Sequence, residues 1–399
     1  MIPAPPNDVF QRMVDLRRHF HRHPELSFEE VETARAIMAE LDRLEIPYEY
    51  GGPGGGVVGR LTGTDPAAPT VAIRAEMDAL PCTERTALPF ASETPETMHA
   101  CGHDAHMAML LGAADMLRSS PPAGSVLFVF QPAEERGNGS LVMLRSGMLD
   151  GADAIFGVHV THHYEIGEIM VSRGTITARA DRFTIRVRGR GGHGARPHEA
   201  VDAVVIAGFL ITAIQTLVSR TINPAFPSVV TVGSVRAGSA PNIIAEDAVL
   251  EGTIRTTRHE ARQQIVDGLH RMANALGHQH NAEIAVTMGE WSPPVVNTDR
   301  ETEIARRAAQ RVVGPDAVVE QDYPSMGAED FSYYLRDIPG CYVRIGTRGA
   351  DGEYIPLHSP LFDVDENALK VGACFFERVA HEATAGLRHP RADTASEAV

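Results

Sequence analysis

Two segments of this 399-residue chain concentrate side chains that can do metal chemistry. His99-Ala100-Cys101-Gly102-His103-Asp104 packs a thiol, two imidazoles and a carboxylate into six residues. Gln131-Pro132-Ala133-Glu134-Glu135 ends the apolar run Val126-Leu127-Phe128-Val129-Phe130 with two adjacent acids. An apolar run that stops at acids reads as a buried strand delivering carboxylates to a site at its C-terminal edge. Cys, His and Glu hold divalent transition metals. A second glutamate beside a ligating one is placed to act as general base on an activated water. The pattern predicts a metal-dependent hydrolase.

His159 follows a further apolar run, Ala154-Ile155-Phe156-Gly157-Val158, and His358 sits in the tight loop Pro356-Leu357-His358-Ser359-Pro360. Taken singly, each candidate has a plainer reading. A loop histidine is usually solvated, a cysteine is most often a small buried hydrophobe, and a Glu pair is most often a wet helix edge. Together they are expected at strand ends and in Pro/Gly-fixed loops, with Cys101 and His103 reaching one site from a single strand end or loop.

The elements that must position these residues alternate. Helical periodicity over 7–45 is interrupted by Pro24, giving two helices joined by a turn at 21–25. Strands are expected at 56–61, 70–75, 125–130 and 154–158, with helices at 104–118 and about 139–147, an α/β arrangement. Near residue 180 the pattern changes. Phe183-Thr184-Ile185-Arg186-Val187-Arg188 alternates as a strand with one wet face. A helix at 199–218, strands at 228–236 and 247–255, a helix at 259–276 and a strand at 282–288 complete a β-α-β-β-α-β, ferredoxin-like order. The expected organisation is a discontinuous catalytic domain, 1–178 and 292–399, built on a mixed, mostly parallel sheet flanked by helices, with an α+β domain inserted at 179–291. Residues 385–399 read as a loose tail.

Composition excludes some classes. Hydrophobic residues at 43% and charged residues at 22% suit a globular protein, and a net charge of −16 opposes nucleic acid or an anionic membrane as partner. Cysteines at 82, 101, 341 and 374 form no close pair, so a reducing compartment is expected. With no basic-then-apolar leader and no apolar window of about 18 residues, the expectation is a cytoplasmic protein without a membrane span.

The chain resembles, nearly end to end, the dinuclear metallohydrolase family of aminoacylases and glutamate-releasing carboxypeptidases. Within that family it is most similar to the hippurate hydrolase and auxin-amino-acid hydrolase branch. The likeness is carried by Arg18-His19-Phe20-His21, His23-Pro24-Glu25-Leu26, Met77-Asp78-Ala79-Leu80-Pro81 and the Cys-Gly-His and Glu-Glu segments. It continues through Phe156-Gly157-Val158-His159, Gly191-Gly192-His193, Ala328-Glu329-Asp330-Phe331-Ser332 and Leu357-His358-Ser359-Pro360. The resemblance implies two divalent ions per subunit (zinc, manganese, cobalt or nickel) bridged by Cys101. His103 and His159 would complete one ligand set, and Glu135 and His358 the other. Glu134 would be general base and acid, and Asp78 an orienting residue behind the ligands. The inserted domain would be a lid and dimer surface. His193 would stabilise the oxyanion from a partner subunit, and Asn242 and Arg255 would bind the substrate's carboxylate. Apart from the likeness, His193 reads as a surface residue of a Gly-rich turn and Arg255 as a solvated strand-end charge.

Two departures stand out. Glu76 replaces the branch's usual Asp, and Val160-Thr161-His162-His163-Tyr164-Glu165 replaces an apolar turn. His162 and His163 read as polar loop residues. The expected activity is cleavage of the acyl amide of N-acyl amino acids (acetyl, benzoyl or arylacetyl) in a homodimer. The alternatives are a dipeptidase or carboxypeptidase on the same centre and, in another class, a catalytically silent metal-binding protein.

Overall fold

The computed structural model describes residues 4–349 and 352–387, without the side chains of residues 290 and 291. The chain opens with α1 (Asn7–Arg22) and α2 (Val31–Arg43), then β1 (Tyr48–Tyr50), β2 (Val57–Leu61), β3 (Val71–Glu76), α3 (His103–Ser119), β4 (Val126–Gln131), α4 (Gly139–Ser146) and β5 (Ala154–Glu165). Next come β6 (Arg179–Arg188), α5 (Ala203–Thr216), β7 (Ser228–Ala237), β8 (Asp247–Thr256), α6 (His259–His280) and β9 (Glu283–Ser292). The last large elements are α7 (Asp299–Val313), β10 (Gly340–Arg348) and α8 (Asn367–Gly386). The chain divides into two compact units. One comprises Met1–Ile176, Val296–Asp322 and Asp330–Val399; the other comprises Thr177–Val295 and Tyr323–Glu329.

The first unit is built on an eight-stranded sheet ordered β1-β2-β4-β3-β5-β10, completed by the short strands Ile169–Met170 and Val318–Val319. The four central strands run parallel; β2 and β1 add antiparallel on one side, and on the other Ile169–Met170 pairs antiparallel with β10 and parallel with Val318–Val319. Every residue of β3 and β4 is buried, as expected where helices cover both faces of a parallel sheet. Val9, Met13, Leu16 and Phe20 form the buried stripe of α1, and α3 buries almost all of its Ala, Met and Leu residues. In such a sheet the C-terminal ends of the parallel strands are where a site forms.

Three boundaries differ from the sequence reading. The first two helices are separated by residues 23–30, not by a short turn, because Phe28 takes a left-handed φ of 71° and residues 25–31 make their own local hydrogen bonds. β5 does not stop at His159 but runs to Glu165, because β10 pairs alongside it as far as Arg348. The expected tail from residue 385 is helical through Gly386, and its part from 388 onward lies outside the described residues.

The second unit has a four-stranded antiparallel sheet ordered β7-β8-β6-β9, with α5 and α6 packed through a core of Phe183, Ile185, Val187, Leu210, Leu250 and Leu269. That strand order is the ferredoxin-like one. Contrary to the sequence reading, one segment, Ala203–Thr221, is apolar and long enough to cross a membrane by length and composition alone. One face of it, through Ile206, Leu210 and Ile214, is buried in this core.

Candidate metal centre

β3 ends at Glu76 and leads to Asp78, and the chain returns at Cys101. Gly102 caps α3 in the left-handed region at φ 85°, where a Cβ would lie 2.3 Å from Val160 Cγ2. Only glycine fits there. Its turn leaves Cys101 just ahead of the helix and makes His103 the first helical residue, instead of a residue on a strand end or loop. Burial, followed by Glu135 and Glu134, pushes the Cys101 thiol well above its usual range, so a cation there must displace its proton. The Nδ1 of His103 donates to the carbonyl oxygen of Asp78 at 2.8 Å, and its Nε2 is buried without a hydrogen-bond partner. Burial opposes a charge on this ring, but Asp78, Glu76 and Glu135 outweigh it and raise its pKa to about 10. Surroundings that hold a proton so firmly favour a cation at the same position.

Beyond β4, Ala133 adopts a left-handed φ of 51°. Three successive peptide N–H groups of this turn end on two carboxylates. Ala133 donates to Glu30 Oε1 at 2.8 Å, and Glu134 and Glu135 donate to Asp78 Oδ1 and Oδ2 at 3.1 and 3.0 Å. Ser27 donates to the same Asp78 carboxylate at 2.7 Å. Asp78 thus braces the Glu-Glu turn and, through its carbonyl, His103. Burial and the Asp78 charge raise the Glu30 pKa to about 7.

His159 lies within β5. Its Nδ1 donates to the Val160 carbonyl at 2.7 Å, and its Nε2 stands 3.4 Å from Cys101 Sγ. Burial, then His106, keeps this ring neutral. His358, at φ 66°, donates its N–H to the Ala100 carbonyl at 2.8 Å and places Nε2 3.4 Å from Glu135 Oε1. The donor atoms form three sets, Cys101/His103/His159, Cys101/Glu135/His358 and His103/Glu134/Glu135, with all atoms of a set within 4.8 Å of one another. Cys101 belongs to two of them. Thiol, imidazole and carboxylate donors gathered in this way fit divalent transition metals.

Sequence reasoning missed the buried network behind these residues. Arg74 donates to Gln131 Oε1 at 2.8 Å and Asp330 Oδ1 at 2.9 Å and pairs with Glu76. Asp330 also accepts from Gln131 and from the Ser140 N–H, both at 2.9 Å. His106 Nδ1 donates to Glu76 at 2.7 Å, and its Nε2 accepts the Val160 N–H at 2.9 Å, beside His159. Burial opposes the Glu76 charge, but Arg74 and then His106 hold it ionised. His106 and Glu76 lie close to His103, yet both His106 nitrogens are already engaged. The available signal was a charged Arg74 and Glu76 inside a run otherwise fit for a central strand.

His162 and His163 are strand residues, contrary to expectation. His162 is buried and bonded through both ring nitrogens, and His163 lies 3.3 Å from the Tyr354 hydroxyl. In the second unit, exposed His193 pairs in a short ladder with Ile243, beside Asn242, whose carbonyl accepts the Gly194 N–H at 2.8 Å. Arg255 is near the far end of β8, opposite Ala180 and Val229, whereas the His193 corner joins the sheet near Arg188 and Asp247. Those ends are roughly 25 Å apart at about 3.3 Å per residue. One chain's second unit therefore does not bring His193 and Asn242 together with Arg255.

This is an α/β scaffold with a cluster of metal-type ligands at its strand ends, and the chain belongs to peptidase family M20/M25/M40, whose model matches residues 72–382. It is 39% identical to the N-acetylcysteine deacetylase of Bacillus subtilis (strain 168), over 92% of this chain and 96% of that protein. It is 37% identical to thermostable carboxypeptidase 1 of Saccharolobus solfataricus, over 90% and 92% of the two chains. The structure resembles that of the YXEP protein of Bacillus subtilis, described as a dinuclear metal-binding M20 peptidase. The TM-score is 0.82 and the identity 35%, covering 96% of this chain and all of the other.

Proposed function

We propose that this chain is a metal-dependent amidohydrolase that cleaves the acyl amide bond of N-acyl amino acids. The observation that carries the reading is the shared position of Cys101 between two compact ligand sets, with Glu134 beside Glu135. Cys101, His103 and His159 would hold one divalent ion, and Cys101, Glu135 and His358 a second, drawn from zinc, manganese, cobalt or nickel. When bound, such ions supply Lewis acidity, polarising the scissile carbonyl and lowering the pKa of the attacking water. Glu134 takes a proton from that water as its oxygen bonds to the carbonyl carbon. It then gives the proton to the amide nitrogen as the C–N bond breaks, leaving a carboxylic acid and a free amino acid. Asp78, which accepts the N–H groups of both glutamates, fixes where these carboxylates point.

The second unit supplies a lid and a dimer surface. Val204, Val205 and Phe209 of α5 and Val229 and Val235 of the edge strand β7 are exposed, an apolar surface suited to a second copy of this chain. The separation of His193 and Asn242 from Arg255 supports the same pairing. A partner's His193 would stabilise the oxyanion at a site where Arg255, with its guanidinium fork, binds the substrate's carboxylate. The similarity to a carboxypeptidase supports a second reading, peptide-bond cleavage on the same centre.

The test is amine release from N-acetyl, N-benzoyl and N-arylacetyl amino acids and from dipeptides, by protein stripped of metal and reloaded with each candidate ion. Hydrolysis of an N-acyl class, reduced about 10²–10⁴-fold or more in Glu134→Ala, is the expected result. Preference for dipeptides would favour the second reading, and silence across all substrates and metals would contradict both.

A further inference from the structure

We propose that His162 is the positioning residue for His358, clamping both ends of the loop that carries it. The inference rests on reading His358 as a ligand of the second ion. His162 Nδ1 accepts the Ile355 N–H at 3.1 Å and His162 Nε2 donates to the Asp363 carbonyl at 2.8 Å. One buried imidazole thus ties together two points of the backbone that lie on either side of His358. The ring must be neutral to accept at Nδ1, and burial pushes its pKa down.

The clamped segment needs such a tie. Its two prolines, Pro356 and Pro360, have no N–H to give, and His358 holds a left-handed φ of 66°, which a residue with a Cβ keeps only under constraint. Between the clamp points, the His358 N–H is fixed to the Ala100 carbonyl at 2.8 Å, next to Cys101. The Phe362 ring packs 5.3 Å from His162, and the Asp363 side chain is paired with buried Arg17. Val160 and His162 share one face of β5. Val160 fills the space over Gly102, between Cys101 and His103, while His162 holds the loop of His358. One strand face therefore sets both parts of the ligand cluster in register.

The test is titration of metal-free protein with zinc or cobalt, comparing wild type, His162→Phe and His358→Ala, with His163→Ala as neighbouring control. Phenylalanine keeps the ring against Phe362 and removes both hydrogen bonds. The expected result for His162→Phe is one equivalent bound as in wild type and the second weakened about tenfold or more, as for other residues behind a ligand. Unchanged binding of both ions, or equal weakening of both, would overturn the clamp. Unchanged binding in His358→Ala would overturn the two-ion reading itself, and the clamp with it. A second measurement needs no variant: in metal-free wild type the Ile355 amide should be protected from hydrogen exchange. Exchange at the rate of an open loop would overturn the inference even if His162→Phe failed to fold.

Discussion

Cys101, His103 and Asp104 stand within four residues, yet each is controlled differently: the thiol by burial and then by Glu135 and Glu134, His103 by Asp78, and Asp104 by Arg17 and His21. The last contact makes a pH prediction. Burial disfavours a charged His21, but Asp104 at 2.7 Å and Glu84 at 3.3 Å outweigh it and raise its pKa from 6.5 to about 9. Because the folded pKa exceeds the unfolded one, this stabilisation is complete below pH 6.5, declines as pH rises and is lost above about 9. It amounts to about 3 kcal/mol. Urea unfolding between pH 6 and 10 should show the decline, and His21→Gln should flatten it; parallel curves for the two proteins would contradict the assignment. Candidate ligands were legible where the sequence groups metal-type side chains, as at Cys101/His103 and Glu134/Glu135, or ends an apolar run, as at His159, whereas His358 stood out only through the resemblance. Glu30 was not singled out, and His21 and His162 were noted without these roles, because the roles are fixed by partners 83 (His21), 103 (Glu30) and 201 (His162) residues away, which no local spacing reveals.

Among the elements, β3 and β4 do more than carry residues to an edge. Arg74, fully buried in β3, ties Gln131 at the end of β4 to Asp330 and Glu76, and through His106 the network reaches the peptide beside His159. Arg74→Met would leave the Glu76 and Asp330 charges buried without their guanidinium. The expected loss is about 3–5 kcal/mol, seen as a lower denaturation midpoint in metal-free protein; an unchanged midpoint would show that the network is not needed to hold the strand ends. Most strands and helices were readable from periodicity, since apolar runs of strand length and Ala/Met/Leu faces mark what is buried. The length of β5 was not, because His162, His163 and Glu165 are polar and only pairing with β10 makes them strand. His103 was similarly misplaced: the left-handed cap at Gly102 starts the helix one residue earlier than the apolar pattern suggests.

At the scale of the whole molecule, the two ends of the second unit's sheet carry different parts of the proposed substrate site. If a partner supplies His193, Phe209→Glu should lower the mass measured by light scattering from dimer to monomer and abolish turnover. Mixing inactive Glu134→Ala with inactive His193→Ala should restore activity once subunits exchange, because one site of each mixed dimer then has both residues. A monomeric wild type, or no recovery on mixing, would contradict the shared site. The order of elements in this unit was evident from its alternating strands. The distance between His193 and Arg255 was not, because it depends on which strands neighbour one another.

The most direct measurement is amine release from an N-acyl amino acid as metal-free protein is loaded stepwise with zinc or manganese, for wild type beside Glu134→Ala. The account predicts that activity requires two equivalents per subunit and that Glu134→Ala binds both ions but does not turn over. Hydrolysis by the metal-free protein, or by Glu134→Ala at the wild-type rate, would contradict it.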